Sequence, residues 1–123
     1  MRTLITILLT ILVSTGSGHA SERITTQDQF LQQVVNRTLS MRLFNVHLNV
    51  QQQGTITGSI RGEPTQGTWV WQNGMLCGTM QRGNRHPETG CQTVHLLSNN
   101  RVRLTADNGQ GRALTLHIQQ ERG

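Results

Sequence analysis

A chain of 123 residues is long enough for one domain and too short for a two-domain enzyme. Its net charge of +5 comes from arginine alone among the basic residues, with no lysine and no tyrosine. The arginines are scattered and aromatic residues make up only 3%, so the charge runs and stacking platforms of a nucleic-acid reader are missing and a solvated, mildly basic surface is expected.

Residues 1–20 read as a cleavable secretion signal. Arg2 supplies the positive start. Residues 4–13 (LITILLTILV) form an apolar run too short to cross a bilayer of ~30 Å as a helix. Residues 14–20 end in Gly18-His19-Ala20, a small-x-small pattern that places cleavage after Ala20. No cysteine follows the apolar run, so a lipoprotein anchor is not expected. The mature chain, residues 21–123, is then a single small β domain in the periplasm or outside the cell, with no further membrane span.

One segment has helical period. Between residues 27 and 39, Phe30, Leu31, Val34 and Val35 recur at one face and Leu39 continues the stripe. Thr26 followed by Gln29 forms a capping-box start. After Ser40 the period changes to two: Phe44, Val46, Leu48 and Val50 alternate with Asn45, His47 and Asn49. Gln53-Gly54 turns the chain into a strand over 55–60, and Pro64 and Gly67 bracket a loop. The strand over 68–72 sets Trp69 and Trp71 on one side. Asn73-Gly74 then marks a type I′ hairpin, because both central residues of that turn need positive φ. Strands over 75–81, 91–97, 101–106 and 113–119 complete the set, with residues 82–90 (RGNRHPETG) a polar loop between the first two.

Seven short strands with tight turns and clean in/out alternation predict a mainly β fold. The expected form is an antiparallel meander, curved or closed into a small barrel, with the N-terminal amphipathic helix plugging one opening.

Cys77 and Cys91 are the only cysteines. In an exported chain an even pair predicts a disulfide, which closes a 15-residue loop and stabilises by roughly 3 kcal/mol. A zinc site would have to recruit His86 and His95, and the cysteine gap lacks the short knuckle spacing of structural zinc.

Residues 67–77 (GTWVWQNGMLC) read G-x-W-x-W-x-x-G-x-x-C and are followed by Gly90-Cys91-Gln92 and by Asp107-x-Gly109-x-Gly111. In these spacings the chain resembles a group of small secreted bacterial proteins that often carry the label dihydrodipicolinate reductase. The likeness covers most of residues 21–123. The label implies a nicotinamide-dependent reductase, whereas the residues lack the Gly-rich turn between a strand and a helix that would cradle a pyrophosphate. The grouping is kept and the reaction is not expected.

No catalytic constellation, cofactor or metal is expected. His47 and His117 lie on the polar faces of their strands and would form a pair only if those strands neighbour. Ser40, Ser59 and Ser98 lack the context of an activated nucleophile, and the six acidic residues fall mostly in turns or at termini. The candidate binding residues are Arg82, Arg85 and His86 on the polar loop, Arg101 and Arg103 beside it, and Trp69 and Trp71 as an apolar platform or as core. The expected function is that of a non-enzymatic envelope protein binding a partner or an anionic polymer through the arginine loop. Two alternatives are an inhibitor of an envelope-degrading enzyme such as lysozyme, and a small-ligand carrier with a tryptophan-lined barrel mouth.

Overall fold

A computed structural model of the chain describes residues 21–119; the secretion-signal reading falls on residues 1–20, outside that range. The elements in order are β1 (Glu22–Ile24), α1 (Gln27–Gln33), β2 (Thr38–Met41), β3 (Val46–Val50), β4 (Thr55–Ile60), β5 (Glu63–Gln72), β6 (Met75–Arg82), β7 (Glu88–Leu97), β8 (Arg101–Thr105), a short turn α2 (Ala106–Gly109) and β9 (Ala113–Ile118).

Strands β2 to β9 pair antiparallel, each with the next, and β9 returns to pair with β2 through Leu39↔Ile118 and Ser40↔His117. The result is a closed eight-stranded barrel. Closure follows from the one-sided strands: rolling the sheet shut buries the apolar face and removes both edges at once. β1 is the ninth strand. It occupies the edge of β7 beyond the end of β6, with Arg23 opposite His95 and Ile24 opposite Val94.

Inward positions repeat at every second residue. Leu39, Val46, Leu48, Val50, Ile56, Trp69, Leu76, Val94, Val102, Leu104, Leu116 and Ile118 form the core with Ile24, Phe30, Val34 and Val35. Glycine makes the tightest approach possible. A Cβ at Gly78, opposite Trp69, would sit 1.9 Å from the Thr68 carbonyl oxygen, so only a hydrogen fits there.

The helix closes one end. Thr26 accepts from the Gln29 amide, and the Gln29 side chain reaches back to the Thr26 amide, completing the capping box. Phe30 is fully buried, with its ring 5.2 Å from that of Trp69 and 5.0 Å from that of Trp71. A helix near the N-terminus is therefore present, with Phe30 as its buried anchor.

Four expectations need correction. The seven-strand meander has nine strands, eight of them in the barrel. The helix is preceded by β1 and stops at Gln33, and residues 38–41, the first two of them (Thr38 and Leu39) read as its continuation, form β2. Leu39 fits either period, and its pairing with Leu48 and Ile118 decides the outcome. Pro64 and Gly67 lie inside β5, where Pro64 takes a position opposite Ser59. Phe44, read as the first inward residue of β3, instead sits in the preceding turn and is 41% exposed.

Candidate interaction surface

An up-and-down barrel sends alternate turns to opposite ends. The turns over 51–54, 73–74 and 98–100 share one end with α1. The turns over 42–45, 61–62 and 83–87, together with the α2 connection, share the other. This second end carries Arg42, Arg61, Arg82, Arg85, His86 and Arg112 against Glu63, Glu88 and Asp107.

Its most unusual residue is Arg61. Among the described residues, eight non-glycine residues have positive φ, and all are Asn or Asp except Arg61, at φ 54°. With Gly62 it closes the β4–β5 hairpin, both central residues having positive φ as a type I′ turn requires. Asn is the residue that tolerates the first of these positions, whereas a long side chain there costs roughly 1–2 kcal/mol. What the sequence gains is placement. The Arg61 guanidinium lies 5.0 Å from the centre of the Phe44 ring, and its amide donates to the carbonyls of Phe44 and Asn45. The neighbouring turn is thereby held upright, with Leu43 at its tip 80% exposed. Leu43, Phe44, Asn45 and Arg61 border a shallow depression of about 330 Å³.

Behind this tip, Met41, Ile60, Met80 and Leu114 are the half-buried apolar residues nearest the end of the barrel. The Glu63 carboxylate serves two arginines, lying 3.8 Å from Arg82 and 3.5 Å from Arg85. One anion shared by two cations leaves a positive excess. Among the described residues, Arg42, Arg61 and Arg112 have no carboxylate within salt-bridge distance. Gly83 makes room for the shared carboxylate, since a Cβ there would approach the Glu63 Oε2 to 2.9 Å.

The disulfide expected between Cys77 and Cys91 is present. The two cysteines are direct cross-strand partners on β6 and β7, on the same face as exposed Val70. Thr79 and Thr89 continue that face with a hydroxyl contact of 2.8 Å. Together they pin the hairpin whose turn bears Arg82, Arg85 and His86.

The predicted binding residues do not converge. Arg82, Arg85 and His86 belong to this turn-rich end. Arg101 pairs with Leu97 at the far end of β7, about 30 Å of strand from Glu88. Arg103 lies two residues further along β8, on the outer wall. Trp69 and Trp71 point inward beneath α1. Trp69 is 5% exposed and donates its Nε1–H to the Gln51 carbonyl at 2.8 Å, while half-buried Trp71 donates to the Thr25 carbonyl at 3.3 Å. Both tryptophans therefore pack in the core, under the closed end. His47 and His117 each lie opposite Ser40, but on the two strands that flank β2, so their strands are not neighbours, and both side chains are exposed on the wall.

Leu43, Phe44 and Arg61 escaped the sequence reading. Phe44 continues the strand alternation by one step, which concealed it. The available signal was Asn45, a residue at ease with positive φ, standing between Phe44 and the true strand.

Comparison with protein-family models, with curated proteins and with solved structures gave no match.

Proposed function

We propose that this chain is a non-enzymatic binding protein of the cell envelope whose turn-rich barrel end docks an acidic protein partner. The observation that carries the reading is Arg61, kept in a backbone conformation unfavourable to it and stacked on an exposed phenylalanine. A strained residue supporting an exposed apolar tip is a feature that folding alone does not favour. Leu43 and Phe44 supply an apolar centre, and Arg42, Arg61, Arg82, Arg85 and Arg112 supply a cationic surround. Interfaces draw disproportionately on aromatic and arginine anchors of this kind. The apolar tip favours a protein over a purely anionic polymer, which would be held by charge alone.

The carrier reading is weaker. The tryptophans it needs are packed against Phe30, and the helix occupies their end of the barrel. The reading keeps the chain with the small secreted proteins it resembles and gives it no nicotinamide chemistry. All the strand pairings described are antiparallel, so there is no βαβ unit to hold a dinucleotide. Export to an oxidising compartment belongs to the same proposal, supported by the disulfide and the N-terminal pattern.

The test is retention of envelope proteins on the immobilised, oxidised mature chain. A captured protein should be acidic and released by salt. It should be lost both from Leu43→Ala with Phe44→Ala and from Arg82→Glu with Arg85→Glu, while circular dichroism and Tm show the barrel intact. Equal capture by the folded variants would refute the proposal.

A further inference from the structure

On the outer wall, away from the turn-rich end, three strands set three nitrogen-rich side chains in one row. Arg23 on β1 is the direct partner of His95 on β7, and His95 is the direct partner of Arg103 on β8. Residues opposed in this way point to the same face, their Cβ atoms about 5 Å apart. We infer that Arg23, His95 and Arg103 form a binding site for a phosphoryl group, with the Ser21 hydroxyl at its margin.

Three observations support the assignment. First, among the described residues no carboxylate lies within salt-bridge distance of Arg23 or Arg103, although two like charges flank one ring. Gathering cations without an anion is unfavourable unless something negative joins them. Second, His95 is held below its ordinary value of 6.5, first by desolvation and then by Arg103 and Arg23, so the ring is neutral where the guanidiniums are charged. Third, His95 Nδ1 is the one buried side-chain nitrogen or oxygen without a hydrogen-bond partner among the described residues. Arg103 extends the row by donating to the Ser21 Oγ at 3.5 Å. Donors from three strands suit the three free oxygens of a phosphate or phosphate ester better than the two oxygens of a carboxylate, and arginine matches phosphoryl geometry in bidentate fashion.

This site is independent of the proposed partner surface, because it lies on β1, β7 and β8 and includes none of the residues at the turn-rich end. It also gives Arg103, which the structure separates from the arginine loop, a role of its own.

The experiment follows the His95 ring resonances of the mature chain by NMR during titration with inorganic phosphate, glycerol 3-phosphate and acetate. Phosphate or its ester should move the His95 signals saturably. A bound anion should also raise the apparent His95 pKa. Arg23→Gln and Arg103→Gln, at exposed or half-buried positions, should keep the fold and each weaken binding by about tenfold, the loss of one charge-assisted contact. Tighter binding of glycerol 3-phosphate than of inorganic phosphate assigns an ester such as a lipid or polymer headgroup; the reverse order assigns the free ion. Unmoved His95 signals, affinity in both variants unchanged from that of the unmodified chain, or acetate binding as tightly as either phosphate would each overturn the site.

Discussion

Replacing Arg61 by alanine and by asparagine separates the backbone cost of this position from the contact it makes. Both variants lose the guanidinium that lies 5.0 Å from the Phe44 ring centre, a cation–π contact of about 0.5–1 kcal/mol at an exposed site. They differ in what they do with φ 54°. Alanine keeps the steric cost of a Cβ in the left-handed region, whereas asparagine largely escapes it. Arg61→Asn should therefore exceed Arg61→Ala in stability by about 1 kcal/mol, or roughly 4–8 °C in Tm for a domain of this size. Relative to the unmodified chain, Arg61→Ala should fall by the cation–π contribution. Arg61→Asn should lie near or slightly above it, because relief of strain offsets the lost contact. The assay is urea unfolding with the disulfide intact, followed by the emission of the core tryptophans, with equal m-values required for the comparison. Both variants should lose the acidic partner to a similar degree, so that one substitution preserves stability while removing function. Equal stability of the alanine and asparagine variants would show that the turn stores no strain, and the argument from Arg61 would fall with it.

Phe30→Ala should cost about 3–5 kcal/mol, since the ring is fully buried between Trp69 and Trp71, and should expose both indoles to quenchers. A loss below 1 kcal/mol, measured by the same unfolding assay, would mean that the helix is not an integral plug. Cys77→Ser with Cys91→Ser should cost roughly 3 kcal/mol by the chain-entropy account, while the β-rich circular dichroism survives because the two strands pair along their length regardless. Folded His95 resists protonation, so acidification through 6.5 protonates the unfolded chain first; stability is then full above 6.5 and declines as pH falls toward the folded value. His95→Gln should flatten that decline, and an unchanged pH slope would show that burial and the two arginines leave the ring unperturbed.

Much of this architecture was legible in the residues themselves. Alternation at period two marks the interior of seven barrel strands, Asn73-Gly74 fixes a hairpin, and Thr26 with Gln29 fixes where the helix begins. These are local signals, set by side-chain direction and backbone preference within a few residues. The helix's end was less legible, because Leu39 continues a helical stripe and also fits a strand. The candidate surface was legible only in part. The polar loop with Arg82, Arg85 and His86 stood out by composition, whereas Phe44 was hidden in an alternating run and Arg61 carried no mark in its neighbours.

By itself, then, the sequence determined a small β-rich unit with one capped helix, a single cysteine pair and an arginine-only positive charge. Tertiary structure decided that β9 returns to β2 and that β1 fills the remaining edge of β7. It also placed the tryptophans inside the closed end and separated Arg82 and Arg85 at the turn-rich end from Arg23 and Arg103 on the outer wall. The physical reason is range. Periodicity and turn chemistry act between residues close in the chain, but strand partnership joins Ser40 to His117 and Arg23 to His95, and only closure of the whole sheet selects those neighbours.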